Sequence, residues 1–157
     1  MRILVFSDTH GVIQPCTWAI ETIRDVDLIL HAGDCVRDAE DLKCLYPDIP
    51  FHYVRGNNDF SCYAPDEKVI DVCGKRIFLT HGHGLRVKYD SDYQRLIQRG
   101  DEENADIIVF GHTHIPFEGR KNHLSLLNSG SVRFGNTYGV IEIEHEKIGL
   151  SVLSFPK

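Results

Sequence analysis

At 157 residues the chain is long enough for one domain with a real core and short for two. With 42% hydrophobic and 25% charged residues it is not a disordered tail, a collagen-like repeat or a disulfide scaffold. A net charge of −6 with no run of Lys or Arg argues against gripping nucleic acid over a broad face.

Short apolar runs of strand length alternate with amphipathic stretches. Arg2–Phe6 reads as the first strand. A helix follows, with Pro15 in its first turn and Trp18, Ala19, Ile20 and Ile23 on its apolar side. Residues 27–30 form the second strand, and Ala39, Leu42, Leu45 and Tyr46 recur at helical spacing after it. Residues 51–54 are the third strand. Residues 68–72 and 76–80 read as a hairpin turning at Gly74-Lys75. Tyr89, Tyr93, Leu96 and Ile97 mark another helix, with Gly100 just past its end. Ile107–Phe110 is a further buried strand. Beyond residue 115 the chain is strand-like, over 117–120, 124–127, 138–145 and 148–155. There Ile141-Glu142-Ile143-Glu144 alternates as a half-exposed antiparallel strand does. Residues 1–157 are expected to form a single α/β domain of two packed sheets and flanking helices.

Five cysteines, at 16, 35, 44, 62 and 73, include no Cys-x-x-Cys pair. Residues 3–6 are too short a run for a signal peptide, and no uncharged apolar run approaches the roughly 18 residues of a membrane span. The expectation is a cytoplasmic protein with reduced thiols and no membrane partner.

Polar residues follow the strands in a regular way. Ser7-Asp8-Thr9-His10, His31-Ala32-Gly33-Asp34, Arg55-Gly56-Asn57-Asn58-Asp59, His81-Gly82-His83 and Gly111-His112-Thr113-His114 each come directly after an apolar run. In α/β sheets, sites form outside the carboxyl ends of the strands, so these groups should converge on one crevice. Asp8, His10, Asp34, Asn57, His81, His112 and His114 are oxygen and imidazole donors. They suit Mn²⁺, Fe, Zn²⁺ or Ni²⁺ better than Mg²⁺ or Ca²⁺. Seven donors are too many for one tetrahedral ion and suit two ions sharing a carboxylate, about 3.5–4 Å apart.

These five blocks, in order, resemble the calcineurin-like metallophosphoesterases. Length and tight spacing are similar to the small single-domain prokaryotic phosphodiesterases of that superfamily, the YfcE-like group. The resemblance runs from residue 1 to about 155. It implies a four-layer α/β/β/α sandwich with two mixed β-sheets and a dinuclear centre between the sheet ends. It also implies that Asp8, His10, Asp34 and His114 hold one metal. Asp34 would bridge to a second, held also by Asn57, His81 and His112. Asn128-Ser129-Gly130-Ser131 resembles a family Asn-Pro-Gly-Ser turn, with Ser129 in place of the proline, and no role is carried over to it.

One block departs from the family. Many relatives read Gly-Asn-His-Asp/Glu, where His is a proposed general acid, and small bacterial ones often place Cys there; here Asn58 stands in its place. An amide has no proton that titrates near neutral pH, so Asn58 is no general acid. With Asn57 it is a candidate substrate-binding residue, donating to a phosphoryl oxygen. His83, one glycine beyond His81, is the nearest substitute and the candidate catalytic or phosphate-binding residue; the competing reading is a supporting or surface role. His31 reads as a satisfied core residue or a support for a ligand. His52, His123 and His145 read as structural or exposed, and Arg55 as a solvated residue more than a phosphate contact.

The expected activity is metal-dependent hydrolysis of a phosphodiester by a water that two divalent ions activate for in-line attack. Mn²⁺ is expected first, with Ni²⁺, Fe or Zn²⁺ as alternatives. A phosphomonoesterase or nuclease on the same site, or a non-catalytic scaffold keeping the fold, are the other readings. Scaffolds typically lose ligands, whereas all seven positions are present here. The expected partner is a small phosphodiester, with nucleic acid disfavoured and a homo-oligomer allowed.

Overall fold

The computed structural model describes residues 1–156. Along the chain come β1 (Arg2–Phe6), α1 (Gln14–Thr22), β2 (Leu28–His31), α2 (Val36–Leu45) and β3 (Phe51–Tyr53). The hairpin β4 (Glu67–Val72) and β5 (Lys75–Thr80) follows, then α3 (Gln94–Glu102) and β6 (Ile107–Phe110). The last part holds β7 (Phe117–Lys121), β8 (Leu124–Asn128), the single turn α4 (Val132–Gly135), β9 (Thr137–Glu144) and β10 (Lys147–Ser154).

The strands form two mixed five-stranded sheets, ordered β10-β9-β1-β2-β3 and β4-β5-β6-β8-β7. In the first, β1, β2 and β3 are parallel and β9 and β10 antiparallel. In the second, β5, β6 and β8 are parallel, with β4 and β7 antiparallel on the edges.

Alternation along the strands builds the layers. Ile3 and Val5 point one way, into a core shared with Leu28, Leu30, Ile77, Leu79, Ile107 and Val109 between the sheets. Leu4 and Phe6 point the other way, against Cys16, Ala19 and Ile20 of α1 and Ala39 and Leu42 of α2. On the far side Phe78, Ile108 and Phe110 pack against Leu96 of α3. Three apolar interfaces therefore separate four layers, the α/β/β/α sandwich expected, and strands buried on both faces carry unbroken apolar runs.

Three local expectations are corrected. The hairpin turns at Cys73-Gly74, not Gly74-Lys75. Both central residues have positive φ, 48° and 71°, as the right-handed twist of a two-residue hairpin demands. Gly100 does not follow α3 but lies inside it, because a side chain there would strike Ile108 of the sheet beneath. Asn104 (φ 54°) takes the left-handed position after the helix instead. Leu45 and Tyr89 are solvent-facing: Leu45 is the last residue of α2, and Tyr89 ends a short 3₁₀ turn, Val87–Tyr89, ahead of α3. No helix among the described residues is long and apolar enough to cross a membrane.

Candidate metal centre

β1 and β2 are parallel neighbours, so their carboxyl ends open at one place. Beyond the ladder, Asp8 N donates to Gly33 O at 2.9 Å and Thr9 N to Asp34 O at 2.8 Å, tying the two strand-end loops together. In the second sheet Gly111 N donates to His81 O at 3.2 Å. The two sheets then meet at these ends. His81 Nδ1 lies 2.7 Å from Ala32 O, and Gly111 passes so close to β1 that a side chain would strike Ser7 and, at 2.9 Å, Asp8 Oδ2. Gly56 has the same use, since Asp34 Oδ1 occupies the space a Cβ would take.

The backbone at the candidate ligands is unusual. Asp8 (φ 54°), His10 (43°), Asp34 (46°), His112 (67°) and His114 (60°) all lie in the left-handed region. For a non-glycine residue this costs about 1–2 kcal/mol. It recurs at functional positions because a sharp turn aims successive side chains at one point.

Asp8 Oδ1 is 3.0 Å from His114 Nε2 and 4.0 Å from His10 Nε2. Asp34 Oδ2 is 3.9 Å from His10 Nε2 and 3.6 Å from His81 Nε2, so this carboxylate stands between two imidazoles from opposite sheets. His81 Nε2 also meets Asn57 Oδ1 at 3.1 Å. Two groups, Asp8/His10/His114 and Asp8/Asp34/His81, each have donor atoms within 4.8 Å of one another. Asp8 is common to both groups. His112 is beside these groups and in neither: its ring centroid is 4.9 Å from that of His81, and its backbone N–H donates to Asp8 Oδ2 at 3.2 Å.

The polar atoms here have a surplus of lone pairs. Facing a carbonyl, His81 Nδ1 must carry its proton, so a neutral His81 turns the Nε2 lone pair toward Asn57 Oδ1 and Asp34 Oδ2. Asp8 Oδ1 and His10 Nε2 are buried and make no hydrogen bond. Acceptors facing acceptors at these separations fit a divalent cation between them, and the donor set is one such ions accept. Burial pushes the Asp8 carboxyl up to about 7 despite the Ser7 hydroxyl. Burial also acts to raise Asp34, but His81 when protonated and, at any pH, the two Asn58 donors act against it and hold this carboxyl below its ordinary value. Burial lowers His81 to about 3, and burial with the Lys88 charge lowers His112 to about 4 and depresses His114. His81, His112 and His114 are therefore neutral at neutral pH, the form that binds metal.

The remaining candidates divide. His83 Nδ1 is buried without a partner, and its ring lies 5.4 Å from His81 and 6.2 Å from His112. Asn58 donates from its backbone to Asp34 Oδ1 at 2.9 Å and from its side chain to Asp34 Oδ2 at 2.6 Å, so its amide serves the carboxylate. Arg55 forms a two-bond ion pair with Asp66, at 2.7 and 3.0 Å. His31 is fully buried and links Thr9 Oγ1 at 3.1 Å to Gly33 N at 3.2 Å, a support for the turn that carries Asp34. His52 is half-buried, and His123 and His145 are exposed.

Several supports were not assigned from sequence. Asp59 accepts from Asp34 N, Gly56 N and Val36 N at 3.0, 2.7 and 2.7 Å, fixing the Asp34 loop and the start of α2. Ser7 Oγ donates to Asp8 Oδ2 at 2.5 Å. Ser131 Oγ donates to Asp8 O at 2.9 Å, and Asn128 Nδ2 to Gly111 O at 3.0 Å and Thr113 Oγ1 at 2.9 Å. Phe134 stacks on His114 at 5.4 Å and leans on His10. Ser7 beside Asp8, the Asn128–Ser131 turn and the Asp of Gly56-Asn57-x-Asp59 were the signals for these, and Phe134 had none.

Stability of the metal-free protein should fall on acidification. Burial lowers His31 to about 4, so between its ordinary value near 6.5 and about 4 the unfolded chain takes a proton that the native one refuses. His31 and His81 should each remove about 1.4 kcal/mol per pH unit in that window. Asp8, raised to about 7, binds its proton more readily when folded and works the other way, offsetting one of them. The net slope from these three groups is about 1.4 kcal/mol per unit, the depressed His112 and His114 add to the loss, and the sum is read as urea midpoints in chelator. A midpoint independent of pH from 6.5 to 4 would contradict it.

The sequence matches the calcineurin-like phosphoesterase superfamily domain over residues 1–146. A probable metallophosphoesterase of Bacillus subtilis is 30% identical over 153 residues, covering 93% of this chain and 86% of its own. Among solved structures, a conserved Streptococcus pneumoniae protein described as a predicted phosphoesterase superposes with a TM-score of 0.81 at 26% identity, over 98% of this chain and 88% of that one. An archaeal phosphodiesterase gives a TM-score of 0.71 at 21% identity, over 98% and 100%. Domain match and identity together place the chain within the calcineurin-like phosphoesterase superfamily.

Proposed function

We propose that this chain hydrolyses phosphodiesters with two divalent ions held between the strand ends. The observation that carries the reading is the pair of acceptor groups that share Asp8 and meet at Asp34. Asp8, His10, Asp34 and His114 would hold one ion, and Asp34, Asn57, His81 and His112 the other. Mn²⁺ suits the mixed oxygen and imidazole set. When bound, the ions supply Lewis-acid polarisation of the phosphoryl oxygens and a water deprotonated near neutral pH. Asn58 keeps both oxygens of Asp34 in a fixed orientation. Unpartnered at Nδ1, His83 is the group we assign to the phosphoryl or leaving oxygen. A diester is favoured because Asn57 and Asn58 at the rim are exposed, leaving room for a second ester arm, and because the archaeal neighbour is a phosphodiesterase. Five free cysteines fit the reducing cytoplasm.

Chelator-stripped protein should be inactive on bis-p-nitrophenyl phosphate, and Mn²⁺ should restore turnover above that on p-nitrophenyl phosphate. A monoester preference would make it a phosphomonoesterase; bound metal with no turnover on any ester would make it a scaffold. Mn²⁺ at 100 times its Kd should stabilise the fold by about 2.7 kcal/mol. For a chain of this size that raises the melting temperature by roughly 5–10 °C. No shift at saturation would oppose a preformed site.

A further inference from the structure

We propose that Phe134 and Arg133, side by side on the single turn α4, form a subsite for a phosphoester with an aromatic arm. Phe134 is the platform on which the arm stacks, and the Arg133 guanidinium takes an anionic oxygen of the phosphoryl group. That the ligand is a phosphoester rests on the hydrolase reading; where it sits rests on the geometry of α4. This turn is docked on the end of β1, which carries Asp8. Val132 N donates to Ser7 O at 3.1 Å and Arg133 N to Asp8 O at 3.4 Å. Ser131 Oγ donates to Asp8 O at 2.9 Å and accepts from Phe134 N at 3.0 Å. The strand end that carries a candidate ligand therefore also sets these two side chains in place.

Phe134 packs on His114 with ring centroids 5.4 Å apart and planes 18° from parallel, and its centroid is 5.4 Å from that of His10. Both imidazoles belong to one donor group with Asp8. Phe134 is nevertheless 64% exposed. It thus keeps apolar surface open in direct contact with two candidate ligands, where a planar group of a bound ester can lie on it. Arg133 completes the site. Its Nη1 donates to His10 O at 2.6 Å, and its Cζ lies 5.5 Å from the centre of the Phe134 ring. A neutral carbonyl therefore pins the guanidinium beside the platform. That bond uses one N–H and leaves the charge uncompensated, and Arg133 forms no ion pair among the described residues. A cation fixed next to a centre built to hold cations is useful there when an anion also binds. Phosphoryl oxygens are that anion, with paired acceptors that match the guanidinium fork.

The test is calorimetric titration of Mn²⁺-loaded protein with phenylphosphonate and with methylphosphonate, metal content being measured on the same samples. Both carry the same head on a P–C bond that hydrolysis leaves intact, and they differ only in the arm. Wild type should bind phenylphosphonate about two- to tenfold more tightly. Phe134→Leu, which keeps an apolar side chain against His10 and His114, should remove most of that advantage, and Phe134→Tyr should keep it. Arg133→Gln should weaken both probes alike, by about tenfold, with metal content unchanged. A phenyl advantage that is absent from wild type, survives in Phe134→Leu or is lost in Phe134→Tyr overturns the proposal, as does unchanged affinity in Arg133→Gln. Metal lost from Phe134→Leu or Arg133→Gln also overturns it, since the pair would then be props for His10 and His114. Binding needs no turnover, so a chain that binds both phosphonates in the expected order and hydrolyses no ester would defeat the hydrolase reading alone.

Discussion

Asp34→Asn should take up less metal and lose more than about 100-fold in turnover on bis-p-nitrophenyl phosphate. Changes in residues that merely support a ligand already cost roughly 10–100-fold, and Asp34 stands between the two halves of the centre, 3.9 Å from His10 and 3.6 Å from His81. The substitution keeps shape and removes the charge. It also leaves a hydrogen-bond conflict. Asn58 presents a donor to each Asp34 oxygen, from its backbone at 2.9 Å and its side chain at 2.6 Å. Whichever way the new amide turns, its NH₂ group faces one of those donors. An unmade bond of this kind costs about 1–3 kcal/mol, so the metal-free variant should also melt earlier. Retention of two ions per chain with near-normal turnover would show that Asp34 does not join the halves.

Most of the candidate ligands were legible in the sequence for a physical reason. A strand buried on both faces must be apolar throughout, so the first polar residues after it mark its carboxyl end. Parallel neighbours such as β1 and β2 then bring Asp8 and Asp34 to the same end. The Cys73-Gly74 turn and the interior Gly100 were misread because the same glycine serves a positive φ, a helix end or a close approach, and only the packing partner decides. Asp59 was visible as part of a block, but its work on three N–H groups, two of them more than 20 residues away, is a tertiary fact.

Rates across a series of phosphodiesters should fall steeply as the leaving-group pKa rises, with nitrophenyl esters far ahead of alkyl esters. A positioned general acid contributes roughly 10²–10⁴-fold, and this help matters most for poor leaving groups. Asn58 stands where the family resemblance puts a proposed acid, and an amide has no proton to give. Its side chain is moreover held by Asp34 Oδ2. Asn58→His should therefore raise alkyl-ester rates and flatten the series, provided the imidazole reaches the leaving oxygen. His83 supplies the internal comparison, because its Nδ1 is buried and unpartnered beside His81 and His112. The measurement is the slope of log rate against leaving-group pKa for the native protein, Asn58→His and His83→Ala, each loaded with Mn²⁺. A flat native series made steep by His83→Ala would give His83 the acid role. A flat series that neither substitution changes would mean that the leaving oxygen is stabilised elsewhere, and the argument from Asn58 would be wrong.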